Sequence, residues 1–225
     1  MVFTRQLTKE ESQILLKLQK FVRSAHAESN SHDYAHVLSV CKYAIQIGKA
    51  IPDPVDPFIL SAGALLHDIG KTNSVFSHIH GLFGGSLAEE FLDGMKIDPE
   101  IRDAICRVVI RHTPTSMIPP ETPEEMAVYD ADTLDRLGLM GLLRGFIGKN
   151  GAMDEIISTY MEKRKQDFKK LHFQVSRDIG LESEQMMLAF IEIIEDRLKT
   201  RMESIHDIFR KEGLLNSHFQ DGSNR

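Results

Sequence analysis

Hydrophobic residues along this chain recur at spacings of three and four positions, the repeat of helices that bury one face. The clearest stripe begins at Ile101, continues at intervals of 3, 4, 7 and 8 residues, and ends at His112. No segment alternates convincingly between apolar and polar residues with the period of two that strands require. The pattern therefore predicts an all-α protein.

Four helix starts are marked by capping residues. Thr8 and Thr122 each stand three positions before a glutamate, the capping-box pattern, while Asp56 and Asp98 each precede a proline suited to the first helical position. Residues 71–84 contain glycine, asparagine and serine and are predicted to form a loop. After a first helix that starts at Thr8, the predicted helices cover approximately 33–49, 58–68, 85–92, 99–112, 122–137, 153–171 and 182–211.

These helices are predicted to pack as one domain. No shift in composition marks a linker, and a chain of 225 residues supports a single core that buries roughly 70% of the unfolded surface. We expect a single-domain helical bundle over residues 1–215, with the candidate motifs in 25–145, further helices in 153–211 and a frayed tail over 216–225.

Composition argues against several classes of protein. Apolar residues form 42% of the chain and charged residues 27%, which is typical of a soluble globular protein. The net charge of -6 argues against a nucleic-acid polymer as partner, because phosphate backbones attract basic surfaces. The sequence has two cysteines, Cys41 and Cys106, and no apolar leader or run of 18 apolar residues. We therefore expect a cytoplasmic protein with no membrane partner.

The adjacent pair His67 and Asp68 is the first candidate for chemistry among the ten histidines. The pair follows the apolar run Ala64-Leu-Leu66, and an ionised carboxylate is costly to bury there unless it is paired or bound to a cation. The negative end of the preceding helix also repels this charge, whereas a divalent cation beyond the helix end attracts both side chains. A solvated pair at a helix end is the alternative interpretation.

Three segments together resemble the HD-domain superfamily of metal-dependent phosphohydrolases, whose signature is a His, a His-Asp pair and a distant Asp. They are Ser31-His-Asp-Tyr-Ala-His36, Leu65-Leu-His-Asp-Ile-Gly-Lys71 and Asp130-Ala-Asp-Thr-Leu-Asp-Arg-Leu-Gly138. The resemblance covers about residues 25–145. It implies an all-α fold of the HD type in which His36, His67, Asp68 and Asp132 bind one metal ion.

The resemblance also chooses between neighbouring candidates. It favours His36 over His32 because the family's histidine precedes an apolar helical run. It favours Asp132 over Asp130 because the family's last ligand typically lies in an Ala-Asp-x-Leu context. Helical geometry alone leaves the choice between the two aspartates open, since residues two apart face nearly opposite ways. Asp130 is a candidate for orienting a ligand.

His80 and His112 extend the candidate site. Some branches of the superfamily take two more histidines from the region between the His-Asp pair and the last Asp, and these bind a second ion. Imidazole and carboxylate donors suit Mn, Fe, Co, Ni or Zn. The resemblance therefore implies one or two divalent ions, with Mg also possible in this family. The alternatives are a surface loop position for His80 and a helix-dipole partner for His112.

The implied activity is hydrolysis of a small phosphorylated substrate, with a nucleotide as the first expectation. Asp68 is the expected catalytic residue at a metal-activated water, and Lys71 is expected to contact the phosphate or else to be a solvated lysine. Two alternatives share the scaffold. One is a di-iron oxygenase acting on a small molecule, and the other is a non-catalytic module that binds a nucleotide. Arg136, Arg144 and a basic stretch near 162–170 are interpreted as solvated, or as walls of an anion pocket.

Overall fold

The computed structural model describes residues 3, 5–27, 34–72, 74–146 and 153–213. Within these residues the chain forms nine α-helices with short 3₁₀ helices between them, and it contains no strand. The predicted all-α fold is therefore confirmed. In chain order the helices are α1 (Lys9–Ala25), α2 (Tyr34–Ala50), α3 (Pro57–Leu66), α4 (His80–Asp93), α5 (Pro99–Arg111), α6 (Pro123–Arg136), α7 (Gly138–Phe146), α8 (Met153–Arg164) and α9 (Gln174–Lys211).

The four predicted helix starts are confirmed by their caps. Thr8 and Thr122 each form a complete capping box with the glutamate three positions later. The carboxylates of Asp56 and Asp98 accept hydrogen bonds from backbone N–H groups at the starts of α3 and α5. These local signals are reliable because they satisfy N–H groups that have no partner inside the helix.

The predicted loop over residues 71–84 is wrong. Two 3₁₀ helices, Ile69–Thr72 and Ser74–Ile79, lead directly into α4, which starts at His80 rather than near residue 85. The glycines of this region allow close packing instead of breaking the chain. A Cβ atom on Gly70 would lie 2.1 Å from the carbonyl oxygen of His80, so only glycine fits between the 3₁₀ helix and α4.

The region after α6 also differs from the prediction. Gly138 has a φ of +81° and separates α6 from α7, a helix that the sequence pattern did not resolve. α8 ends at Arg164 rather than near residue 171, and α9 starts at Gln174 rather than near residue 182. A Cβ atom on Gly180 would lie 2.7 Å from Cδ2 of Leu134, so this glycine lets α9 approach α6 and does not end a helix.

Two hydrophobic clusters hold the helices together. The first cluster joins α2, α3, α5 and α6 to the C-terminal helices. The second contains residues from each of the first five helices, α1 through α5. Because α2, α3 and α5 contribute to both clusters, polar side chains at the ends of these helices lie deep in the protein. Burial of this kind is unfavourable unless the polar atoms are satisfied by one another or by a ligand.

None of the described helices is both long and apolar enough to span a bilayer. His32 and the predicted frayed tail over residues 216–225 lie outside the described residues.

Candidate metal centre

Six buried side chains from five helical segments meet in the interior as two triads. His36 in the first turn of α2, His67 at the C-terminus of α3 and Asp132 in α6 form the first triad. Asp68, which follows α3, His80 at the start of α4 and His112 at the C-terminus of α5 form the second. Within each triad the donor atoms lie within 4.8 Å of one another, and no member is more than 4% exposed.

Asp68 faces both triads with its two carboxylate oxygens. Its Oδ2 lies 3.3 Å from Nε2 of His36 and 3.6 Å from Nε2 of His67. Its Oδ1 lies 3.4 Å from Nε2 of His112 and 3.7 Å from Nε2 of His80. The carboxylate thus has one oxygen close to each pair of histidines.

The backbone orients two of the imidazoles. Nδ1 of His67 is 2.8 Å from the carbonyl oxygen of Ala64, and Nδ1 of His112 is 2.6 Å from that of Val109. Both histidines cap helix C-termini, where the last carbonyl groups have no partner within the helix. In a neutral imidazole, an Nδ1–H that donates to such a carbonyl leaves a lone pair on Nε2, the nitrogen that both rings point toward the centre.

Asp135 orients His36 and was not among the predicted residues. Its Oδ2 lies 2.7 Å from Nδ1 of His36, and it also pairs with Arg144 of α7. Burial alone raises the pKa of the Asp135 carboxyl, but hydrogen bonds from His36 and Ser39 and the charge of Arg144 lower it to about 2. The sequence signal that could have found Asp135 is its position three residues after Asp132, because residues three apart lie on one face of a helix.

The pKa values of His36 and His67 are shifted in opposite directions. Burial disfavours a charge on His36, but hydrogen bonds with Asp135 and Asp68 and the negative charge of Asp132 raise its pKa to about 9. Burial lowers the pKa of His67 to about 3. At neutral pH without a cation, His36 is therefore charged and His67 is neutral, and the positive charge lies where a metal ion would bind.

The structure gives Asp132 and Asp130 different surroundings. Asp132 belongs to the first triad, and although burial alone raises its pKa, the positive charges of Arg136 and His36 hold it well below the usual range. Asp130 instead accepts hydrogen bonds from the backbone N–H groups of His172 and Phe173. The expectation that Asp130 orients a ligand is therefore wrong, since its carboxylate fixes the connection into α9.

Lys71 lies at the edge of the site. Its Nζ is 3.2 Å from Oδ2 of Asp68, and its side chain is 19% exposed. The 3₁₀ helix Ile69–Thr72 turns this ammonium back over the carboxylate. His80 is buried, so the alternative of a surface loop position is wrong.

The donor set fits a divalent cation. Four imidazoles and two carboxylates converge, and Nε2 of His112 is buried without a hydrogen bond. A buried nitrogen that accepts nothing is costly, and coordination removes this cost. The two buried His/Asp triads are therefore consistent with divalent metal binding.

The fold and the site together describe an all-helical protein with two buried His/Asp triads that could hold metal ions. Residues 33–137 match the family model of the HD domain. This part of the chain is therefore an HD domain, related to YpgQ-like proteins, which confirms the resemblance for the residues that carry the motifs.

Solved structures share this fold. The crystal structure of Bacillus subtilis YpgQ in complex with ADP matches with a TM-score of 0.63 and 23% identity, covering 81% of this chain and 97% of that chain. A Bacillus thuringiensis HD-superfamily hydrolase matches with a TM-score of 0.63 and 21% identity, covering 84% and 98% of the two chains.

A curated relative is considerably longer than this chain. The tRNA (cytidine(56)-2'-O)-methyltransferase of Picrophilus torridus is 31% identical over 159 residues, which are 64% of this chain and 42% of the relative. The chain thus spans less than half the length of that enzyme.

Proposed function

We propose that this protein is a metal-dependent phosphohydrolase that acts on a nucleotide. The observation that carries the proposal is the position of Asp68, whose two oxygens face the two triads while Nζ of Lys71 lies 3.2 Å from one of them. This arrangement combines a candidate cation site with a positively charged side chain at its edge. Phosphoryl groups need both, because negative charge must be neutralised as the phosphorus is attacked.

Each residue has a distinct part in this proposal. A bound divalent cation lowers the pKa of a coordinated water and polarises a phosphoryl oxygen. His36, His67 and Asp132 would hold the first ion, and His80 and His112 the second, with Asp68 between them. Asp68 would also orient or deprotonate the attacking water. Lys71 binds a phosphoryl oxygen through its flexible ammonium group.

A nucleotide is the favoured substrate for two reasons. YpgQ, which shares the fold, was crystallised with ADP. The partial exposure of Lys71 places a cation between the buried donors and solvent, where the phosphates of a small molecule can reach it. The overall charge of -6 argues against a nucleic-acid polymer.

The test is product release from a panel of nucleotides, sugar phosphates and phosphodiesters with Mn²⁺, Co²⁺, Ni²⁺ or Mg²⁺. We expect wild type to release phosphate or pyrophosphate and the isosteric variant Asp68→Asn to be inactive. Asp207→Asn is the matched control, because Asp207 is exposed on α9 and contacts neither triad. Equal activity of wild type and Asp68→Asn would contradict the proposal.

A di-iron oxygenase is the second candidate. Four imidazoles and a carboxylate that faces both triads also suit iron, which accepts nitrogen and oxygen donors. Iron content after anaerobic reconstitution, followed by oxygen uptake by the reduced protein, distinguishes this activity. If the protein is a hydrolase, we expect that adding a phosphorylated substrate to the reduced protein causes no oxygen uptake.

A further inference from the structure

Asp132 presents its two carboxylate oxygens to different partners. Its Oδ1 lies 3.6 Å from Nε2 of His36 and faces the first triad. Its Oδ2 accepts a hydrogen bond from Nη1 of Arg136, one helical turn later. Arg136 also donates to Oγ1 of Thr133 at 2.8 Å. The guanidinium therefore occupies the outer oxygen and leaves a single oxygen for a cation in the triad.

Arg136 also faces a second carboxylate, that of Asp167 in the connection between α8 and α9. Oδ2 of Asp167 lies 3.9 Å from Nε of Arg136 and 2.8 Å from Nη1 of Arg164. Its Oδ1 accepts a hydrogen bond from Nζ of Lys170 at 2.9 Å. The Asp167 side chain is only 2% exposed, and a carboxylate at this depth is tolerated because three cations surround it.

The guanidinium of Arg136 is thus shared between two acids. It is hydrogen-bonded to Asp132, whereas its Nε is buried without a hydrogen bond and is attracted to Asp167 across 3.9 Å. Asp167 therefore competes with Asp132 for the guanidinium of Arg136. The basic stretch near residues 162–170 is explained in part, because Arg164 and Lys170 hold Asp167 in place.

We propose that Asp167 is a positioning residue that acts through Arg136 to set the affinity of the first triad for a divalent cation. Without Asp167, the guanidinium pairs with Asp132 alone and competes with the metal ion for that carboxylate. The positive charge of Arg136 is then less balanced, which disfavours a further cation nearby. The inference rests on the proposed function, since both require a cation at the first triad.

Cobalt binding tests this role without using activity. In a His80→Ala/His112→Ala background, the first triad is the remaining candidate site, and Co²⁺ is titrated into metal-free protein while its visible absorption is recorded. We expect Asp167→Asn to weaken Co²⁺ binding by about 3- to 10-fold, less than the loss of a direct partner of a ligand, because Asp167 acts through Arg136. In an added Arg136→Met background, Asp167→Asn should change the affinity by less than about twofold. Asp207→Asn is the matched control and should change nothing.

The outcomes separate this inference from the proposed function. Unchanged Co²⁺ affinity in Asp167→Asn, or an equal loss with and without Arg136, would overturn the role of Asp167 and leave the metal site in place. A parent protein that binds no Co²⁺ would overturn both proposals. If circular dichroism shows that Asp167→Asn does not fold, Asp167→Ser takes its place, because a smaller neutral side chain leaves room for water between the cations.

Discussion

The Nε2 atoms of His36 and His67 lie 3.2 Å apart in the interior of the protein. Nδ1 of His36 is bonded to Asp135, and Nδ1 of His67 to the carbonyl oxygen of Ala64, so each ring turns its remaining nitrogen toward the other. Two lone pairs at this distance repel each other unless a proton or a metal cation lies between them. The two nitrogens therefore share a proton in metal-free protein, and in the proposed function both would bind the first cation.

We expect Mn²⁺ affinity to increase with pH up to about pH 9. The pKa of His36 is raised to about 9, so its proton must leave before Nε2 binds a cation. The affinity should rise by about tenfold per pH unit below this value and level off above it. Calorimetric titration in buffers of different ionisation enthalpy counts the protons released. An affinity that is constant from pH 6.5 to 9 would contradict this coupling.

Metal-free protein should be most stable near pH 6.5. The raised pKa of His36 contributes stability that is fully present below its ordinary value of 6.5 and is lost as pH rises to about 9. The pKa of His67 is lowered to about 3, so its contribution is present above pH 6.5 and is lost as pH falls toward 3. Thermal unfolding is measured across this pH range with a chelator present. Comparing wild type with His36→Gln and His67→Gln assigns the loss of stability above pH 6.5 to His36 and the loss below it to His67.

Asp135→Asn should weaken metal binding without preventing folding. The substitution keeps the shape of the side chain but removes the charge that orients and polarises His36, whose Nδ1 lies 2.7 Å away. Loss of such a partner typically reduces metal affinity by about 10- to 100-fold. Mn²⁺ titration measures the loss, and Asp103→Asn serves as control because Asp103 is half-exposed on α5. Equal affinities of wild type and Asp135→Asn would show that His36 needs no such partner.

Lys71→Met should reduce turnover and leave the metal content intact. Lys71 is not a metal ligand, and its ammonium is expected to bind a phosphoryl oxygen. A charged hydrogen bond of this kind contributes about 1.5–3 kcal/mol, so kcat/KM should fall by roughly 10- to 100-fold. Metal analysis and kinetics on the same sample separate the two effects. Lys199→Met, on the exposed surface of α9, is the control and should retain full activity.

Gly63→Ala should destabilise the fold by about 1–3 kcal/mol, the usual cost of overpacking. A Cβ atom on Gly63 would lie 2.4 Å from Cγ1 of Val108, so α3 and α5 would have to separate. Urea denaturation measures the change. Gly94→Ala is the matched control, because its Cβ would meet only the carbonyl oxygen of Phe91 at 3.7 Å. If both variants are equally stable, the close approach of α3 and α5 does not require glycine.

Helix boundaries were predicted well where the signal is local and poorly where packing decides. The caps at Thr8, Asp56, Asp98 and Thr122 act within one helical turn and are visible in the sequence. The start of α9 was predicted near residue 182, whereas Gly180 lies inside this helix, where a close contact with Leu134 of α6 requires glycine. Such a contact joins residues far apart in the chain and leaves no local pattern.

The sequence by itself determined the helical class, because helical period and caps are encoded in short segments, and its resemblance to the HD domain predicted the six side chains that meet at the centre. Tertiary structure alone decided how those side chains act. It joined His36 to Asp135 across 99 positions, turned the two oxygens of Asp68 toward different triads, and placed Asp167 beside Arg136. These relationships depend on the distances and burial that helix packing creates, and residue spacing along a chain carries neither.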